Sequence, residues 1–267
     1  MSAEPSRQGL APAGLHLLHP ARAWPAQVGA AFSLRHGGAS QAPWDSLNLG
    51  AAVGDDAGAV RHNRALFGAA LGVRPVWLQQ VHGTRVLRLR HADVDRELPP
   101  ADAAWTDEAG LACTVLVADC LAVLLSAADG RAVAAAHAGW RGLAGGVIEA
   151  SLQALREGAG AEPQDVHAWL SPCIGAAQFE VGADVLAAFG VSPADVGHAR
   201  FVCRPRPDGA LRWLADLPGL ASDRLRRAGV SQILSEDACT VEDPSRFFSF
   251  RRDGVTGRMA AAVWRRS

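Results

Sequence analysis

The chain has 267 residues but no lysine and no tyrosine, so all 26 of its Lys and Arg positions are arginine. Without lysine there is no Schiff-base chemistry, no phosphate-loop nucleotidase and no Ser-x-x-Lys hydrolase. A compositional bias towards Ala, Gly and Arg accounts for the absence, and the chemical exclusion holds whatever its origin. The sequence also contains no G-x-G-x-x-G fingerprint, no G-x-S-x-G elbow, no C-x-x-C pair and no H-E-x-x-H helix. Methionine occurs only at Met1 and Met259, and none of the nine histidines forms a His-x-His pair. A blue-copper centre with an axial methionine is therefore poorly provided for.

Charge and cysteine are similarly scarce. A formal net charge of -1 supplies no basic field to draw the chain to nucleic acid or to an anionic membrane, so neither is expected as a partner. The five cysteines, Cys113, Cys120, Cys173, Cys203 and Cys239, are an odd number without a repeating spacing. A chain of this length needs no disulfide framework, and reduced thiols in a cytoplasm are expected. The first residues are broken by Pro5, Pro12, Pro20 and Pro25 and carry no continuous apolar segment, so no secretory signal is expected. The longest apolar run, 111–125, is interrupted by Asp119 and falls short of a membrane span.

The remaining pattern is that of an α/β protein. Apolar spacing predicts a helix over 57–71 stopped by Gly72, an amphipathic helix over 142–157 closed by Gly158, and further helices over 183–189 and 217–228. Between them, 74–89 reads as two strands around a bend supplied by Gly83. Residues 111–125 read as two strands with a break near Asp119 and Cys120, and "RAVAAAHAG" reads as a buried strand ending at His137. Asp253 and Gly254 are expected to turn a hairpin. No linker cuts the chain, which predicts a proline-rich segment at 1–28 followed by one domain with a mixed sheet over 29–267.

His82, Cys120 and His137 all fall at strand ends or turns, where side chains converge in α/β sheets. Their spacing matches no compact zinc motif and leaves three readings open. They are three packing residues, or they hold a metal, or Cys120 is a nucleophile with His137 as its base. Arginines form the second constellation, since Arg35, Arg141, Arg251 and Arg258 lie beside glycines in loops. A guanidinium grips phosphate or carboxylate in a bidentate way, and glycine allows close approach to the backbone.

The motifs "LRHGGAS", "SLNLGAAVGDD", Asn63-Arg64, "QQVHG", "ADC", "AAAHAGWRG", "PCIGAAQFEVG", "DACT" and "FFSFRRDGVTGR", in that order, resemble the YfiH-like laccase-domain family along nearly the whole chain. Its members are described as purine nucleoside phosphorylases or polyphenol oxidases. The resemblance implies a single-domain α-β-β-α layered fold with mixed sheets, and makes His82, Cys120 and His137 the ligands of a metal, zinc or alternatively copper. It implies purine nucleosides and phosphate as small-molecule partners, in a cytoplasmic monomer or small homo-oligomer. Cys120 and His137 are then the catalytic pair. Arg35, Asn48, Arg141 and Arg251 are assigned to the substrate and phosphate pocket, with Asp119 or Glu180 for proton transfer. Ala122, Leu34 and Ser171 depart from residues common in the family, and none of them removes a ligand.

Three activities are expected of such a site. The first is zinc-dependent phosphorolysis of adenosine, inosine and methylthioadenosine, with adenosine deamination beside it. The second is a cysteine amidase that edits peptidoglycan precursors, and the third a copper-dependent polyphenol oxidase. A non-enzymatic binding module is the remaining alternative.

Overall fold

The computed structural model describes residues 7–10, 14–20, 24–94 and 96–266. Short strands, the central ones largely apolar and buried, assemble into two six-stranded mixed sheets and one small three-stranded sheet. The first sheet runs in the order Arg7–Leu10, His16–His19, Val28–Ser33, Met259–Arg265, Leu111–Val117 and Arg74–Trp77. The second runs Gln232–Ser235, Val166–Leu170, Leu121–Ala127, Val133–Ala138, Ala103–Thr106 and Val86–Arg88. Its centre is antiparallel and both of its edges are parallel.

Alternation along single strands shows how the layers form. In Leu121–Ala127, Ala122 and Leu124 point into the core between the two sheets, while Leu121, Val123 and Leu125 pack on the opposite face. Both faces are covered, which is why these strands read as continuous apolar runs. Phe67 and Leu71 of the helix Ala57–Leu71 cover the outer face of the first sheet. Ile148 and Leu152 of Val147–Ala159 and Leu225 of Leu217–Arg227 cover the outer face of the second. The result is the expected α-β-β-α arrangement.

This layering positions the site. Leu111–Val117 belongs to the first sheet and Leu121–Ala127 to the second, so the chain crosses between sheets at 118–120. It crosses again between Arg74–Trp77 and Val86–Arg88, and a third time between Gln232–Ser235 and Met259–Arg265. Register places these three crossings at one end of the sandwich, since Met259 pairs with Val117 and Leu170 pairs with both Val123 and Ser235, while a fourth, at 107–110, lies at the opposite end. The three carry Cys120, His82 and the pair Phe250-Arg251.

Four local expectations are corrected. The helix expected over 142–157 is two helices, Trp140–Gly145 and Val147–Ala159, because Gly146 at φ 99° caps the first with its own N–H. The second helix ends at Gly160 (φ 64°), and Gly158 stays inside its last turn, where a Cβ would lie 2.1 Å from the Trp105 ring. The left-handed residue of the 74–89 bend is His82 (φ 59°), with Gly83 outside that region. In place of a hairpin at Asp253-Gly254 there is a short helix, Phe250–Asp253, whose first turn is capped by Ser249 Oγ accepting from the Arg252 N–H at 3.2 Å. The proline-rich start supplies strand His16–His19 to the first sheet, with Leu15, Leu17 and Leu18 buried. Among the described residues no helix is long and apolar enough to cross a membrane.

Candidate metal centre and active site

The Cys120, His82 and His137 side chains converge, with one ligand atom from each lying within 4.8 Å of the others. Among the described residues this is the group of three or more His, Cys, Asp or Glu side chains that could hold a metal ion. The two imidazoles meet edge to face at 4.7 Å between centroids. His82 is exposed, Cys120 half-buried and His137 buried, which places the group at the floor of an opening.

Asp102 organises the group, although no motif singles it out. Its side chain is fully buried, and Oδ1 accepts a 2.8 Å hydrogen bond from His137 Nδ1. The same carboxylate accepts from three consecutive backbone N–H groups, those of Val81, His82 and Gly83, at 2.7–3.0 Å. It therefore orients one imidazole through its ring and holds the other residue in its left-handed conformation, which costs an L-residue about 1 kcal/mol. Because a carboxylate only accepts, His137 carries its proton on Nδ1 and directs Nε2 towards the opening. Burial opposes charge on Asp102, but the bonds from His137, Gly83 and Val81 outweigh it and hold the carboxyl below the usual range. Burial likewise opposes charge on His137, and Asp102 with Cys120 outweighs it, raising the imidazole to about 9. His82 is shifted the other way, by burial and by the positive charges of His137 and Arg141.

The space between the donors is reserved by glycine. A Cβ on Gly139 would lie 2.8 Å from His82 Nδ1 and 3.0 Å from Cys120 Sγ, so a larger residue would occupy the space those donors face. Two imidazoles and one thiol, one imidazole oriented by a carboxylate, fit a borderline-soft cation such as zinc with a fourth position open to water or substrate.

Two clefts meet at the trio, of about 500 Å³ and about 340 Å³, and share His82, Ala118, Cys120 and Phe250. Arg64 and Arg258 line the larger, Arg141 and Arg251 the smaller. Among the described residues none of these four guanidinium groups forms an ion pair with a carboxylate, unlike those of Arg88, Arg200, Arg206, Arg224 and Arg246. Arg64 stacks on Trp77 at 4.2 Å and donates from Nε to Leu49 O, and burial lowers its pKa to about 10. Burial lowers that of Arg258 as well. Arg141 rests on the Trp140 ring at 4.3 Å.

Of the other residues expected here, Asp119 lines the smaller cleft and the rest lie around the site. Arg35 lines neither cleft; its guanidinium donates to Asp45 O and Pro244 O and stacks on Phe248 at 4.7 Å. Buried Asn48 accepts from the N–H groups of Gly50 and Arg258 and donates to Gly50 O and Asp55, which shapes the wall of the larger cleft. Asp119, at φ 87°, accepts from Thr240 Oγ1 and the Arg251 N–H at 2.6 Å each, so both of its oxygens are taken. Glu180 lines neither cleft and pairs with Arg206. Asp102, Arg64, Gly139 and Phe250 are the site's additional members. Arg64 stood in a quoted motif, but neither spacing nor composition distinguishes Asp102 from an ordinary aspartate at the start of a strand.

Comparison with known proteins gives the family of the chain. Residues 29–266 match the family model described as multi-copper polyphenol oxidoreductase laccase. A purine nucleoside phosphorylase of Pseudomonas aeruginosa is 46% identical over 240 residues, covering 90% of this chain and 94% of its own. The purine nucleoside phosphorylase YfiH of Escherichia coli is 43% identical over 250 residues, covering 93% and 98%. Among solved structures, a Neisseria meningitidis protein superposes with a TM-score of 0.85 at 41% identity, over 94% of this chain and 99% of its own. YlmD of Geobacillus stearothermophilus does so with a TM-score of 0.85 at 30% identity, over 99% and 98%. With its fold, its motifs and nearly its full length matched, the chain belongs to the YfiH-like laccase-domain family.

Proposed function

We propose that the protein is a zinc-dependent purine nucleoside phosphorylase of the cytoplasm, acting on adenosine, inosine and methylthioadenosine, with adenosine deamination as a second activity of the same site. The observation that carries this reading is the set of four arginines without carboxylate partners around a His-Cys-His group. Cations left unpaired beside a cleft favour an anionic ligand, and a guanidinium binds phosphate in a bidentate way. The names carried by the relatives support the same substrate class.

In phosphorolysis a phosphate oxygen forms a bond to the anomeric carbon as the bond from that carbon to the purine nitrogen breaks. The electron pair leaves with the purine, which takes up a proton, and ribose 1-phosphate forms. Arginines of this set hold the nucleophile in place and offset its charge, so that attack becomes an effectively intramolecular event. His82, Cys120 and His137 would hold the zinc, which when bound supplies Lewis-acid stabilisation and lowers the pKa of a water to about 7. Asp102 keeps His137 in the tautomer that presents Nε2 to the metal. Chromatography of a reaction of inosine with phosphate tests the reading: hypoxanthine and ribose 1-phosphate are expected in equal amounts. Base release that continues unchanged without phosphate would contradict it.

A second reading is favoured by the series Asp102, His137, Cys120, in which His137 bonds the carboxylate through one nitrogen and interacts with the thiol as well. In a metal-free protein this is a nucleophile, a histidine that carries its proton and an orienting carboxylate, as a cysteine amidase requires. Amide hydrolysis that survives chelation and is abolished by thiol alkylation would establish it. For the copper reading, a multi-copper enzyme needs a further centre, and among the described residues the trio is the one candidate group.

A further inference from the structure

The two clefts differ in kind. The smaller is walled by Trp140, Ile174, Phe179, Leu217 and Phe250, and its only acidic side chain, Asp119, has both oxygens engaged by Thr240 and the Arg251 N–H. Its arginines, Arg141 and Arg251, are exposed to solvent, and Arg251 donates to Gln178 O and Glu180 O. Among the described residues the larger cleft contains no acidic side chain, and its arginines, Arg64 and Arg258, are half-buried, so they have lost part of their hydration without an ion pair to a carboxylate. An anion bound there recovers more than one bound beside a hydrated arginine, because a desolvated charge interacts through a lower effective dielectric. An aromatic base gains most in the other cleft, where ring and aliphatic faces are available for stacking. Phe250, though 56% exposed, stands between them as a wall of both.

Resting on the phosphorylase reading, we propose a division of labour: the larger cleft binds phosphate through Arg64 and Arg258, and the smaller one binds the purine base against Trp140 and Phe250. The anomeric carbon then lies at the junction beside His82 and Cys120, which both clefts share. Its nucleophile arrives from one cleft and its leaving group departs into the other. Arg64 is thus a phosphate-binding residue and Trp140 a base-binding residue.

The test is calorimetric binding of inorganic phosphate and of inosine to the metal-loaded protein and to two variants, alongside steady-state kinetics. Arg64→Gln is expected to weaken phosphate binding at least tenfold with inosine binding within about twofold of wild type. Trp140→Ala should do the reverse, weakening inosine at least tenfold and leaving phosphate. Phe250→Ala, at an exposed position that the core does not need, should likewise weaken inosine at least tenfold without a folding cost, with some loss of phosphate as well because the Arg258 guanidinium lies 5.8 Å from its ring. Variants are compared at matched metal content and melting temperature. Turnover by wild type with no such split, or with the split inverted, overturns the division while leaving the phosphorylase reading intact. Wild-type protein that binds no nucleoside overturns both.

Discussion

Asp102 and His137 are joined twice, by a 2.8 Å bond between carboxylate and imidazole and by a 2.7 Å bond from the His137 N–H to the Asp102 carbonyl. The first bond fixes the tautomer of a ligand residue, and the second fixes the strand that carries it. Since the same carboxylate also accepts from the His82 N–H, one buried side chain sets the separation of two of the three donors.

Replacing Asp102 by Asn therefore affects the metal more than the fold. An amide has a single acceptor oxygen and cannot serve both His137 and the three N–H groups of residues 81–83. Metal affinity is expected to fall about 10- to 100-fold, as measured by competition with a chromophoric chelator. Retention of wild-type affinity would remove Asp102 from the account.

The pKa of His137 gives the metal site a pH dependence. In metal-free protein the imidazole holds its second proton up to about 9, and a metal must displace that proton. Zinc affinity should rise about tenfold per pH unit between ~7 and ~9 through this group alone, then level off. Stability of the metal-free form runs the other way. The folded pKa lies above the unfolded value of ~6.5, so this contribution is complete below pH ~6.5 and is lost as pH rises through about 9. Isothermal denaturation at several pH values, with and without chelator, separates the two effects.

Arg35 is expected to matter for stability rather than for phosphate. Its guanidinium ties Asp45 O and Pro244 O together across two loops, with Phe248 beneath it. Arg35→Ala should lower stability by about 1–3 kcal/mol through lost charged hydrogen bonds, and leave the KM for phosphate unchanged. A selective rise in that KM would restore Arg35 to the pocket.

Much of this was legible in the sequence, for identifiable physical reasons. The sequence places His82, Cys120 and His137 at strand ends or turns, and their reading as one ligand set is what the family resemblance implies. An α/β domain with a mixed sheet is legible because strands buried on both faces are continuously apolar, whereas helices such as Ala57–Leu71 keep a 3.6-residue period; the layering itself is what the family resemblance implies. Asp102 is not legible, since a single buried carboxylate leaves no periodic trace and its bonds are to backbone N–H groups distant in sequence. Asp-Gly is a strong turn signal and predicts a hairpin where the helix Phe250–Asp253 forms, and the Ser249 cap that decides the matter is a local contact of four residues. Among the arginines, adjacency to glycine did not separate those that face a cleft from Arg35, which is folded back onto carbonyl groups.

The most direct test of the central claim is phosphate-dependent release of base from inosine by protein of known metal content, measured beside Cys120→Ala. The account predicts about one zinc per chain and phosphate-dependent turnover in the wild type, with both lost in the variant. Metal-free protein that turns over nucleosides at the full rate, or a Cys120→Ala variant that keeps both metal and activity, would contradict it.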